Sequence, residues 1–209
     1  MATAIFFASS TGNSEEIASK IASSLNNIEV FDLSGTKIEK INDYDKIIFG
    51  GSTWGDGELN DDWEDVWADF CKLDLSSKTI ALFGLGDQES YSDEFCSALG
   101  IIYEQVDSMG AKIVGFTSSE GYYHDASKAQ IKDKFVGLVL DEDNQDDLTF
   151  RLMGTYITKK GNKTKKKQLY SLGLKNISKL DSESIALIRR DFEKLILVFT
   201  QLKQFKLID

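Results

Sequence analysis

Residues 3–14 read Thr3-Ala4-Ile5-Phe6-Phe7-Ala8-Ser9-Ser10-Thr11-Gly12-Asn13-Ser14: an apolar run, then six residues of which five carry a hydroxyl or amide. The run is too uniformly apolar for a strand with one wet face. It predicts a strand buried on both sides, as in parallel sheets sandwiched between helices. Immediately after it, Ile17, Ile21 and Leu25 fall on one face of a helix over 14–25. A polar loop that joins such a strand to such a helix can cradle a phosphate, because backbone N–H groups at the helix start and hydroxyl donors hold a dianion without lysine or arginine. Ser9, Ser10, Thr11, Gly12, Asn13 and Ser14 are the candidates. The loop lacks the Gly-Lys-Ser/Thr of nucleotide-hydrolysing proteins and the three spaced glycines of dinucleotide sites. Taken alone, it suits a well-capped helix equally well.

Further short apolar runs at 28–33, 46–50, 79–84 and 112–116 read as strands, and 62–71 and 93–109 read as amphipathic helices. Trp63, Val66, Trp67 and Phe70 mark the buried face of the first helix; Phe95, Leu99, Ile102 and Val106 mark that of the second. The alternation predicts a doubly wound α/β domain whose ligand loops lie at the carboxyl ends of its strands. After the third strand stands Gly51-Ser52-Thr53-Trp54-Gly55-Asp56-Gly57-Glu58-Leu59; after the fourth stands Leu85-Gly86-Asp87-Gln88-Glu89-Ser90-Tyr91-Ser92-Asp93. Each presents one large aromatic beside the cradle.

With these three loops in this order, the chain from Ala2 to about Thr149 resembles the flavodoxin family, whose phosphate loop reads Ser/Thr-x-Thr-Gly-x-Ser/Thr. The segment 117–148, with its apolar run 135–140 followed by Asp141-Glu142-Asp143-Asn144-Gln145, resembles the long-chain subclass. The resemblance implies a five-stranded parallel sheet in the order 2-1-3-4-5 and a non-covalently bound FMN. It places the phosphate in 9–14 and the ring between Trp54 and Tyr91, and it adds Ser52, Thr53, Gly55, Leu85, Gly86, Asp87 and Asp143 to the site. It implies a low-potential one-electron carrier between redox enzymes, with basic docking surfaces such as those of a ferredoxin-type NADP reductase or a 2-oxoacid oxidoreductase as partners. The Gly55–Asp56 peptide is implied to turn over on reduction, its carbonyl then accepting a hydrogen bond from the protonated flavin nitrogen; glycine tolerates that turn. Asp56, Glu58, Asp61, Asp62, Asp87, Glu89 and Asp93 then surround the ring. Near a protein surface, charges roughly 10 Å apart interact by about 1 to 2 kcal/mol before screening, so several acids together disfavour a flavin anion. The alternative is an FMN-dependent reductase with its own substrate. A response-regulator receiver domain shares the sheet order but needs an acid pair, an aspartate and a lysine at strand ends that here read Ser9-Ser10, Gly50-Gly51 and Thr117-Ser118.

Composition bounds these readings. The 209 residues are 42% hydrophobic and 28% charged, enough for a real core, with a net charge of −10 that repels polyanions such as nucleic acid. The charge is unevenly placed: 29 acids and 10 lysines precede Phe150, a net of −19, whereas 5 acids and 14 bases follow from there, a net of +9. No arginine precedes Arg151 and no proline occurs at all. The domain boundary is therefore expected near Phe150, giving a flavodoxin-like domain over 1–149 and a basic tail over 150–209. Within the tail, 159–167 holds six lysines and reads as a solvated linker, and 182–205 places Ile185, Ile188, Phe192, Leu195, Phe199 and Leu202 on one face of a long helix. Cys71 and Cys96 are too few for a disulfide framework and read as core thiols; His124 reads as an exposed loop residue. With no secretory signal and no apolar run near the roughly 18 residues that span a bilayer, a cytoplasmic location with no membrane partner is expected.

Overall fold

In the computed structural model, which describes residues 2–25 and 28–145, the apolar runs become β1 (Thr3–Phe7), β2 (Ile28–Asp32), β3 (Lys46–Ser52), β4 (Thr79–Leu85) and β5 (Lys112–Val114). The helices between them are α1 (Asn13–Ser24), α2 (Asp61–Phe70) and α3 (Ser97–Ser108), with a 3-10 turn at Ile38–Asp43. The strands are all parallel and stand in the order β2-β1-β3-β4-β5. They start level: Thr3 pairs with Ile28 and Lys46, Lys46 with Thr79, and Thr79 with Lys112.

Residues alternate between the two faces of the sheet, and both faces are buried. Phe6, Ile47, Phe49 and Leu82 pack under α2 and α3, where the Phe49 ring meets Trp63 at 5.6 Å and Phe70 at 5.4 Å edge-on. Ile5, Phe7, Ile48 and Phe83 belong to the opposite layer with Ile17 and Ala18 of α1.

The fifth position differs from the single strand expected over 112–116. Gly115 takes a φ of 89°, in the left-handed region, and turns the chain off the sheet after Val114. An insertion follows, built on a small antiparallel sheet of β6 (Thr117–Ser118), β7 (Gln130–Ile131) and β8 (Lys134–Phe135). The chain then returns as β9 (Leu138–Leu140), which pairs with Phe83–Leu85 above the stretch that β5 occupies. The sheet thus has six strand segments in five positions. Helix α3 also starts later than the expected 93, because Glu94 N–H bonds to the Tyr91 carbonyl, Phe95 N–H bonds to Ala126 of the insertion, and Cys96 is left-handed at φ 54°. The tail boundary, the lysine run 159–167 and the helix expected over 182–205 lie outside the described residues. Among the described residues no helix is long and apolar enough to cross a membrane.

One close approach fixes the sheet's centre. The ring of fully buried Phe83 occupies the space a side chain at Gly50 would need. Gly50→Ala is expected to cost about 1 to 3 kcal/mol by overpacking. Gly35→Ala, with open space around it, is expected to be near neutral, and urea midpoints of the two variants check the contrast.

Candidate functional site

Because β1, β3 and β4 are neighbours in level register, the loops that leave them emerge side by side. Short bonds hold them together at the base: Ala8 N–H to Gly50 O at 3.1 Å, and Thr53 N–H to Leu85 O at 3.1 Å.

The first loop wraps the start of α1. Ser9 Oγ accepts the N–H of Gly12 at 3.1 Å and of Glu15 at 3.4 Å, while Gly12 sits at φ 92° to bring the chain into the helix. At the first turn of a helix the N–H groups have no intrahelical carbonyl, so those of Asn13 and Ser14 face an anion naturally. Ser10 Oγ accepts a bond from Asn60 Nδ2 at 3.3 Å, which leaves its own proton to give. Ser14 is 1% exposed and its Oγ has no hydrogen-bond partner. A buried hydroxyl without a partner costs stability unless a ligand satisfies it, and this one stands at the helix start among other donors. Thr11 and Asn13 are exposed at the rim.

The second loop is a tight hairpin. Trp54 and Glu58 exchange backbone bonds of 3.0 and 2.7 Å around Gly55 at φ 49° and Gly57 at φ 82°. Trp54 is 41% exposed, with its Nε1 donating to Ser52 Oγ at 2.9 Å. Thr53 faces the other way: its hydroxyl accepts the N–H of Ala98 and supports the start of α3.

In the third loop Tyr91 is 61% exposed. Asp87 organises the approach to it. Its Oδ1 accepts the N–H groups of Glu89 and Ser90, both at 2.9 Å, and Asn144 Nδ2 at 2.8 Å. Bonds from the Ser90 hydroxyl and N–H, followed by those from Asn144 and Glu89, hold the Asp87 carboxyl down at about 2. Gly86 lies so close to the Cys96 backbone and thiol that a side chain there would collide. Around the three loops Asp56, Glu58, Asp61, Glu89 and Asp93 are exposed. Asp62 is pushed up, chiefly by burial and then by the Asp32 charge, although a bond from the Ser9 backbone opposes this.

A loop of hydroxyl and backbone donors at a helix start, with no lysine or arginine among the described residues of the loop, thus stands at the carboxyl edge of a 2-1-3-4-5 sheet beside loops that expose Trp54 and Tyr91. The flavodoxin family model matches residues 5–153. The chain belongs to the flavodoxin family. It is 45% identical over 148 residues to a flavodoxin of Picosynechococcus sp., covering 69% of this chain and 87% of the relative. To a flavodoxin of Helicobacter pylori it is 46% identical over 145 residues, with the same coverage. Among solved structures, a Fusobacterium nucleatum flavodoxin bound to flavin mononucleotide superposes with a TM-score of 0.70 at 31% identity, covering 76% of this chain and 95% of that one. A length of about 150 residues for the matched part fits the long-chain flavodoxins.

Several flavodoxin-site expectations take a more specific form. Asp143 is exposed in the turn of helix at 142–145, and the side chains there that bond the 87–91 loop are Asp141 and Asn144: Asp141 Oδ2 accepts Gln88 N–H at 3.2 Å. Asn60, missed in the sequence, is 1% exposed, caps α2 through Trp63 N–H at 3.1 Å and reaches Ser10. An asparagine directly before Asp61-Asp62 is a helix-start signal that could have revealed it. His124 is not an exposed loop residue. Its Nε2 lies 2.6 Å from Gln130 Oε1, and its ring packs 5.1 Å from Phe95 and 5.5 Å from Phe135. Cys96 is buried, with burial raising its thiol well above the ordinary range, and Cys71 is half-buried, in keeping with core thiols. Among the described residues no cluster of His, Cys, Asp or Glu could hold a metal.

The Asp87 bonds predict a pH window. Its folded value lies below the ordinary 3.8, so the stability it contributes is complete above the unfolded value and is lost as pH falls from there toward about 2. Asp87→Asn is expected to lower the urea midpoint at pH 6, and the gap from the parent is expected to close as the titration proceeds below pH ~4.

Proposed function

We propose that the chain is a one-electron carrier that works through a single non-covalently held FMN. The observation that carries this is the buried, unpartnered Ser14 hydroxyl at the start of α1, inside a cradle without cations and beside Trp54 and Tyr91. FMN, when bound, supplies the electron chemistry; the protein supplies position and electrostatics. Ser9, Ser10, Thr11, Asn13 and Ser14 hold the phosphate by N–H and O–H donors, with Gly12 making the turn. Trp54 and Tyr91 flank the ring and keep water from its faces, with Ser52 fixing the Trp54 indole, Gly55 giving the hairpin its turn, and Leu85, Gly86 and Asp87 shaping the loop beneath Tyr91. The Trp54–Glu58 bonds anchor both ends of the hairpin, so the Gly55–Asp56 peptide between them would be the one whose carbonyl could turn to accept a hydrogen bond from FMN bound there. The exposed acids Asp56, Glu58, Asp61, Glu89 and Asp93 disfavour extra negative charge in the site and attract basic surfaces, which suits brief contacts with a ferredoxin-type NADP reductase or a 2-oxoacid oxidoreductase.

Titration of the full chain with FMN and with riboflavin tests the cradle. FMN is expected to bind more tightly, and Ser14→Ala is expected to cost FMN about tenfold or more, in line with roughly 1.5 to 3 kcal/mol for a bond to a charged group, while sparing riboflavin. Tyr91→Ala and Trp54→Ala are expected to weaken both ligands alike, up to about tenfold each. Equal affinity for riboflavin and FMN in the parent chain would refute the phosphate assignment. Carriage, as opposed to reduction of a substrate of its own, predicts that the FMN-loaded protein alone oxidises NADPH no faster than free FMN and gains turnover when a partner reductase is added. Fast NADPH consumption by the isolated chain would instead assign it to the reductases.

A further inference from the structure

Both ring-facing loops are gripped from outside the parallel sheet by one short stretch of the insertion, residues 123–128. Ser92, next to Tyr91, is held on two sides. Its hydroxyl donates to Asp125 Oδ2 at 2.6 Å, and its carbonyl accepts the N–H of Asp125 at 2.8 Å and of Ala126 at 3.0 Å. At the other end of the same loop Gln88 is 4% exposed, and its Oε1 accepts Tyr123 N–H at 2.7 Å. Tyr91 therefore hangs between two fixed points, and since its ring is mostly exposed, these points rather than packing set where it stands. The hairpin is backed in the same way. Lys128 Nζ lies 3.3 Å from Glu94 Oε2, and that carboxylate fills the space beside Gly57 where a side chain would otherwise stand. Lys128 is itself anchored, its N–H donating to Ser97 Oγ at 3.2 Å.

We propose that Asp125 and Lys128 are positioning residues for the flavin ring: Asp125 fixes the Tyr91 loop through Ser92, and Lys128 backs the Trp54 hairpin through Glu94. The proposal rests on the FMN reading. Its physical content is preorganisation. A loop ordered before the ring arrives loses little freedom on binding, so removing its ties lowers ring affinity without touching the ring. The phosphate cradle stands on a different strand and on α1, so it is unaffected.

The test uses the full chain and two probes, riboflavin for the ring subsite and inorganic phosphate for the cradle, together with the thermal midpoint of the flavin-free protein. Asp125→Ala and Ser92→Ala are each expected to weaken riboflavin about five- to tenfold, less than a buried bond to a charged group because this one is exposed, and the double variant no more than either alone. Asp125→Asn, whose amide oxygen can accept the same hydroxyl, is expected to recover most of the loss. Lys128→Met is expected to weaken riboflavin about two- to threefold at low salt and to match the parent at high salt, as a partly exposed ion pair should. Phosphate affinity is expected to stay at the parent value throughout, and the midpoint to fall by no more than the one lost bond accounts for. Parent-like riboflavin binding by Asp125→Ala, additive losses in the double variant, or a parallel fall of phosphate affinity and midpoint would each overturn the proposal. Failure of the parent chain itself to bind riboflavin or FMN overturns the FMN reading instead, which keeps the two failures distinct.

Discussion

A parallel ladder can gather loops at one edge only if its strands run level, and the row Thr3, Lys46, Thr79 and Lys112 keeps them so. Everything at the site descends from that register. A one-residue slip of β3 against β1 would turn Ile47 and Phe49 away from α2 and α3 and put Ile48 in their place, exchanging the two buried layers. The aromatic cluster of Phe49, Trp63 and Phe70 makes such a slip costly, and the bond from Trp63 Nε1 to the Gly50 carbonyl at 3.1 Å ties α2 to the strand that must not move. The core therefore does more than stabilise the fold: it sets the spacing of the loops at its edge, which it reaches through Leu59 and Leu85.

The proposed anion cradle stands amid a surrounding excess of acid, and the two can coexist because they act over different distances. Donors at the start of α1 work at hydrogen-bond range inside a partly buried loop, where their strength depends on geometry. The exposed acids of the neighbouring loops act through water and salt, which screen them within about 10 Å at ordinary ionic strength. Lysines in the cradle would add affinity for phosphate, but they would also place positive charge beside the ring. Serine, threonine and backbone donors avoid that and leave the electrostatic character of the site to Asp56, Glu58, Asp61, Glu89 and Asp93.

What could be read from the sequence was whatever is local in the chain. The strand-loop-helix at 3–25 is contiguous, and its polar run, its glycine and its apolar spacing all sit within a few turns of one another, so order and chemistry were both visible. The same holds for Trp54 and Tyr91, each on a loop following an apolar run. The split of the fifth position was not legible, because it depends on Gly115 taking a positive φ and on β9 finding β4 across the insertion. Nor were the partners of Asp87 and Ser92, since Asn144 is 57 residues and Asp125 is 33 residues away along the chain. Residue types announce a capacity to bond; only the fold decides which capacities meet. His124 shows the converse, since a lone histidine after two tyrosines gave no hint that Phe95 and Phe135 would close around it.

The two aromatic loops divide the labour of order and freedom. The Trp54 hairpin carries positive φ at Gly55 and Gly57 and closes on itself through the Trp54–Glu58 pair. The Tyr91 loop turns locally on Asp87, whose carboxylate accepts the N–H groups of Glu89 and Ser90 and whose carbonyl accepts that of Tyr91, but its remaining ties run to the insertion and to the 141–144 turn, elements distant in sequence. A loop held by long-range ties opens when those ties open, so its order is coupled to the stability of the insertion as a unit. The hairpin keeps its Trp54–Glu58 frame through such an opening and loses only the Lys128–Glu94 pair behind it. The Tyr91 side of the site thus depends on the insertion more heavily than the Trp54 side does. That asymmetry follows from the split fifth position, because the chain that leaves the sheet at Gly115 and returns at Leu138 brings residues 123–128 to Gln88, Ser92 and Glu94.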